Sequence, residues 1–306
     1  GLQALKNNTT GGYNCAFGQY ALFSNTTASN NTAVGYQAGY SNTTGAGITA
    51  IGFQTLKANT TSGYSTAIGY NALTANTTGN GEAIGVNALS ANTTGTANVA
   101  MGANALVNNT TGSYSVALGN SALYSNNGSN NTAVGYQSSY SNTTGFYLSS
   151  LGYNSLYNNT TGSYNTGIGH EALRGNTTAD HNTGLGYAAG YAITTGAGNT
   201  AIGSQALRAT TTGAANSASG YAALFTNVTG DSNTAQGFGA LYLNTASSNS
   251  AVGAYSLFNN SSGRYNVAVG NDALYSNTTA NSNTAVGYQA GYSNTIANGN
   301  TAVGYK

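Results

Sequence analysis

A glycine closes an Ala-Val-Gly or Ala-Ile-Gly type triplet at positions 18, 35, 52, 69, 85, 102, 119, 135 and onward to 304, at a spacing of 17 residues with three spacings of 16. No other feature constrains the fold as much. A short period carried from end to end means that each repeat is one small unit, unable to bury its apolar face alone and stacked on its neighbours. The pattern predicts a single continuous array over residues 1–306, with no domain boundary. The chain begins with Gly1, not Met, and its last residues, 301–306, break off in mid-repeat. The reading is therefore of a segment of a longer fibre.

The columns of the repeat carry the secondary structure. Two residues before the anchor glycine stands Ala in 15 of 18 units, and the residue between them is apolar in 16 of 18. Four after it stands Leu, and seven after it Asn, usually followed by Thr-Thr-Gly. A glycine in every unit and pairs of β-branched Thr oppose helix. Short extended segments punctuated by Asn and Gly turn chemistry fit strands instead. The expected fold is all-β, a parallel β-solenoid (β-helix or β-roll) of 17-residue repeats. Adjacent strand residues point to opposite faces, so both apolar columns are expected to be buried. On that reading Val34, Ile51, Ile68 and Ile84 fill the lobe, while the Ala column meets neighbouring backbone.

A longer period overlies the short one. Tyr13, Tyr64, Tyr114, Tyr164 and Tyr265 recur five residues before every third anchor, with Ala215 the one exception among six. The Leu column fails at Gly39, Ser139, Gly190 and Gly291, all in one of the three classes, and each is followed by a Tyr (Tyr40, Tyr140, Tyr191, Tyr292) expected to restore the lost volume. Two architectures fit. In the favoured one, three repeats of about 51 residues make one three-lobed layer, and the chain forms six layers, since 306 is six times 51. In the alternative, each 17-residue repeat is one coil.

Composition narrows the function. Charged residues are 4% of the chain, with six Lys/Arg against five Asp/Glu. That is far below the roughly 25% of an ordinary domain. No basic surface is available for phosphates, so no nucleic-acid partner is expected. No apolar run approaches the length of a membrane span. A single Cys excludes a disulfide framework. No catalytic, cofactor or metal site is expected. The densest ionisable cluster, His170, Glu171, Arg174, Asp180 and His181, lacks the His-Glu-x-x-His zinc spacing and reads as a solvated turn. Cys15 stands where other units hold Thr, Ser or Val and reads as a small substitute.

The turn Asn lies in Asn-x-Ser/Thr at Asn8, Asn25, Asn42, Asn59, Asn76, Asn92, Asn109, Asn142, Asn159, Asn176, Asn227, Asn260 and Asn277. These are glycosylation candidates, since acceptors sit on surface turns. The competing reading is that Asn-Thr-Thr-Gly is a stacking turn. Ice binding is a minor alternative: one Thr column precedes the Ala (Thr32, Thr49, Thr66) but is interrupted at Glu82, Val99 and Val116.

The segments Asn31-Thr-Ala-Val-Gly35 and Ser65-Thr-Ala-Ile-Gly69 resemble the Ala-Ile-Gly repeats of trimeric autotransporter adhesin heads. The longer unit, Ala-Leu-x-x-Asn-Thr-Thr-Gly-x-x-Asn-Thr-Ala-Ile-Gly, is similar to repeats of phage tail-fibre-like proteins. The resemblance implies a parallel β-roll in homotrimers, surface exposure, rigidity and adhesion, with no catalytic residues to carry over. Together these readings describe a structural fibre protein, extracellular or on a cell or virion surface. It self-associates end to end or continues in the same chain, with glycans as further partners. The shaft of a surface adhesin or tail fibre is the alternative.

Overall fold

The residue after each anchor-minus-three position shows why these segments become strands. Thr-Ala-Val and Thr-Ala-Ile are built of β-branched and small residues that suit a pleated surface, and each forms a strand of three residues. In the computed structural model, which describes residues 1–306, the strands fall in two compact units, Gly1–Leu148 and Ser149–Lys306. The first holds eight strands, from Cys15–Phe17 to Thr132–Val134, and the second ten, from Ser149–Leu151 to Thr301–Val303. The repeat pattern runs through position 148 unbroken, although the sequence reading expects one array rather than two units.

Within each unit every strand pairs in parallel with the next repeat. Ala33 lies between Ala16 and Ala50, and Ala201 between Gly184 and Ala218. The rest of the coil stacks the same way: Gly52 N–H donates to the Val34 carbonyl at 2.7 Å, and Leu56 N–H to the Ala72 carbonyl at 3.1 Å. One 17-residue repeat is therefore one coil. The three-repeat layer is not formed. A strand has two edges, and both edges of Ala33's strand are taken by the neighbouring repeats, which leaves none for a residue 51 positions away.

The interior of each coil is narrow, and this decides which apolar column enters it. The Ala column is fully buried, as at Ala33, Ala50, Ala67 and Ala83. The Leu column is buried beside it, at Leu22, Leu56, Leu73 and Leu89 in the first unit and Leu207, Leu224 and Leu241 in the second. A Cβ built on Gly184, an exception in the Ala column, would lie 2.8 Å from Leu173 Cγ. Leu173 has closed on the space of even that one carbon, and the column elsewhere holds only Ala, Ser150 and Gly167. The aliphatic column is consequently the outward one. Ile51, Ile168 and Leu185 are about two-fifths exposed, and Val34, Ile68 and Ile84 are half-buried. The expectation that Val34, Ile51, Ile68 and Ile84 fill the lobe is corrected: the strand alternates faces, and the lumen admits only the Ala side.

Tight corners complete the coil. Leu56, Leu73 and Leu106 hold φ of 48°, 49° and 50°, and the residue two before each of them also has positive φ. This left-handed conformation costs roughly 1–2 kcal/mol for a non-glycine residue. Full burial of each Leu, worth about 2–3 kcal/mol, offsets it. The anchor glycine is required for two reasons. Gly52 has φ 131°, and a Cβ on it would lie 2.0 Å from the Gly69 carbonyl oxygen of the next coil.

Where the Leu column fails, the replacement volume comes from the interior. Ile48 and Ile193 are buried, and their Cδ1 atoms lie 3.4 Å and 3.0 Å from the positions a Cβ would take on Gly39 and Gly190. Leu148 is buried in the column of Ile48, one coil on from Ser139. The expectation that Tyr40, Tyr140, Tyr191 and Tyr292 restore the volume is corrected, since all four are only half-buried and lie in an outer aromatic column.

Candidate interaction surface

The turn asparagines are interior groups. Asn25, Asn42, Asn59, Asn76, Asn109, Asn142, Asn159, Asn176, Asn227, Asn260 and Asn277 are fully buried, and Asn92 nearly so. In the first unit they form a hydrogen-bonded ladder. Asn59 Nδ2 donates to the Ser62 carbonyl and to Asn42 Oδ1, each at 2.9 Å, and Asn59 Oδ1 accepts from Asn76 Nδ2 at 3.2 Å. The ladder starts at half-buried Asn8, whose Nδ2 donates to the Gly11 carbonyl while Oδ1 accepts from Asn25. The Thr that follows each Asn is used too: Thr43 Oγ1 donates to the Thr60 carbonyl at 2.9 Å and Thr93 Oγ1 to the Thr110 carbonyl at 3.0 Å.

A sugar on such a nitrogen would displace one of two donated hydrogens and occupy buried space. Asn25, Asn42, Asn59, Asn76, Asn92, Asn109, Asn142, Asn159, Asn176, Asn227, Asn260 and Asn277 are all buried in the folded coil. The turn itself accounts for the Asn and for the Thr that directly follows it, through the amide ladder and the adjacent hydroxyl ladder. In the second unit another Asn column does the same work and was not singled out from the sequence. Asn182 Oδ1 accepts from Asn199 N–H at 2.8 Å, and Asn182 Nδ2 donates to the Gly196 carbonyl at 2.9 Å. The same arrangement recurs at Asn199, Asn216, Asn249 and Asn266.

With the amides turned inward, the outer faces carry aliphatic and aromatic columns beside columns of hydroxyls. The aliphatic column is flanked by a first aromatic column, where Tyr36 stacks on Phe53 (5.4 Å between centroids) and Phe53 on Tyr70 (5.1 Å). A second aromatic column in the other unit runs Phe225, Tyr242, Phe258, Tyr275, Tyr292, with each ring stacked on the next at 5.0–5.4 Å. Cations intercalate in this column: Arg208 lies over Tyr191 and Phe225, and Arg174 over Tyr157 and Tyr191. Three positions before each anchor, the strand presents an outward hydroxyl column. In the second unit Ser or Thr fills nine of its ten strands, with Val267 the exception.

The ionisable cluster does not converge on a site. His170 stacks between Tyr153 and Tyr187. Glu171 meets Arg174 at 3.5 Å. Asp180 Oδ1 accepts the Ser163 N–H at 2.7 Å, and His181 stacks on Tyr164 at 4.9 Å. Each residue serves a different column of the coil. Cys15 sits exposed in the outward hydroxyl column. No group of three or more His, Cys, Asp or Glu side chains comes together, and no helix is long and apolar enough to cross a membrane.

Comparison with protein-family models, with curated proteins and with solved structures returned no match.

Proposed function

We propose that the chain is a structural element of an extracellular fibre, a rigid stacked β-solenoid that associates with its like. The observation that supports it best is the division of labour in the coil. Buried side-chain amides bond from one coil to the next, so rigidity along the stack needs no charge. The outward aliphatic column then repeats an apolar face once per coil. Exposed apolar strips of this kind mark association surfaces. A stack of this kind presents the same face from coil to coil and suits lateral or end-to-end assembly.

Electron microscopy of the native material tests the reading. Long uniform filaments with an axial spacing of about 4.8 Å are the expected result. Short shafts ending in a distinct head or base would instead identify an adhesin or tail-fibre shaft. Dispersed particles with no filament at any concentration would overturn both.

A further inference from the structure

The three-repeat superperiod has no role in a fold with one repeat per coil, yet it places a Tyr at the same outer corner every third coil. In the first unit these are Tyr13, Tyr64 and Tyr114, with exposures of 93%, 82% and 64%. Such exposed rings contribute little to the core. Their backbone is also unfavourable, with φ of 57°, 55° and 59°, a region that bulky residues seldom adopt. In the coils between them the corner is held by Asn30, Gly47 and Ala97, which suit that backbone better or fill less space. A large aromatic kept exposed, in a strained conformation and at a regular interval serves something outside the coil.

These rings differ from the other surface aromatics. In the two aromatic columns the rings lie against one another, and an interior ring such as Phe53 shows solvent only its edge. Tyr13, Tyr64 and Tyr114 stack on no other ring. Tyr64 lies instead on Gly47 of the preceding coil, where an added Cβ would be 3.1 Å from Cδ1 and 3.3 Å from Cε1. Backbone covers part of the Tyr64 ring, and all three rings remain largely open to solvent. The flanking residues, Gly12 and Asn14, Gly63 and Ser65, Ser113 and Ser115, carry no charge.

We propose that Tyr13, Tyr64 and Tyr114 form a binding row for an uncharged polysaccharide lying along the stack. Each exposed ring packs on the C–H face of a sugar ring, and the tyrosine hydroxyls hydrogen-bond to sugar hydroxyls. Neutral saccharide fits better than an acidic one, because the row offers no cation. The rings are three rungs apart, roughly 14 Å, so a chain of several sugars engages more than one at once and gains by multivalency. The proposal goes beyond the fibre reading and does not depend on it, since a single unit carries the whole row.

The test is affinity electrophoresis of the 306-residue chain in native gels cast with hydroxyethylcellulose, mannan, xylan or no polysaccharide. The expected result is retardation by at least one of the three. The triple variant Tyr13→Asn, Tyr64→Asn, Tyr114→Asn weakens it more than any single change does, with an unchanged circular dichroism spectrum, since Asn30 already occupies this corner. Tyr64→Asn alone weakens retention roughly three- to tenfold, the worth of one aromatic contact. The variant Tyr36→Ala, Tyr70→Ala, in the edge-on column, keeps it. Wild-type mobility unchanged by all three polysaccharides would overturn the proposal, as would a triple variant retarded like the wild type. Loss of retardation in the Tyr36/Tyr70 variant alone would move the site to the other column and refute the row.

Discussion

The buried asparagine ladder makes a quantitative claim at Asn59, in the middle of the first unit. Its amide donates to Asn42 Oδ1 and the Ser62 carbonyl and accepts from Asn76 Nδ2. Asn59→Ala removes all three bonds inside a fully buried site. Asn42 Oδ1 and the Ser62 oxygen are left without a partner, and each orphaned buried group costs about 1–3 kcal/mol. Asn76 keeps its second bond to the Gly79 carbonyl and loses less. The vacated volume adds about 1 kcal/mol. The sum is about 3–7 kcal/mol, a large part of the roughly 5–15 kcal/mol that holds a typical domain folded.

Each coil touches only its neighbours, so the weakness sits between the coils above and below Asn59 and loosens their cooperation. Urea denaturation followed by circular dichroism measures the effect as a fall in midpoint, with a second transition if the two parts of the unit separate. The control is Thr61→Ala, two residues away, where the side chain is exposed and its hydroxyl makes no bond. It should change stability by no more than about 0.5 kcal/mol. If Asn59→Ala costs less than about 1 kcal/mol, or no more than Thr61→Ala, the ladder does not stabilise the coil and the argument fails.

The inward and outward columns separate in a second pair of variants. Leu73→Ala, at a fully buried position, should cost about 2–5 kcal/mol, whereas half-buried Ile68→Thr should cost under about 1 kcal/mol by thermal melting. The exchange of volume between Gly39 and Ile48 predicts strong coupling. Gly39→Leu alone places its Cβ already in contact with Ile48 Cδ1 at 3.4 Å and drives its outer atoms into the space Ile48 fills, while the double variant with Ile48→Asn restores the common coil. Their double-mutant cycle should deviate from additivity by more than about 1 kcal/mol. For the buried turn amides, peptide mapping by mass spectrometry of natively produced chain should find Asn42, Asn59 and Asn109 unmodified. Glycan on any of them would show that the ladder is not closed as described.

The sequence reveals much of this protein because a stacked coil writes its period directly into the chain. A residue needed in the coil recurs every 17 positions, so the anchor glycine, the Ala and Leu columns and the all-β class were all legible. Reading became harder where a column's role depends on what stands across the lumen. Nothing local tells the Ala column from the Ile and Val beside it, since alternation assigns them opposite faces without saying which face is inside. Propensity argued for the larger residue. Leu173, pressed against the position of a missing Cβ on Gly184, shows why the smaller one won. Leu56 and Leu73 in left-handed backbone could not be foreseen either, because local preference disfavours that conformation and only burial compensates for it.

The same limit explains the turns and the superperiod. Asn42-Thr43-Thr44 reads equally well as a glycan acceptor and as a ladder rung. The difference lies in whether Nδ2 faces solvent or, as found, the amide of the previous coil. Tyr64 recurring with Tyr13 and Tyr114 reads as a layer of three repeats until the strand pairings show that Ala33 already has a neighbour on each side. What the sequence by itself determined was the unit: its length, its extended segments, its glycine corners and its dependence on stacking, all of which are local or periodic. Only the tertiary structure decided which atoms face inward, what closes the hydrogen bonds of the buried amides and which aromatic rings stay open to solvent. Those depend on the width of the lumen and on contacts made to the next coil, which no single repeat contains.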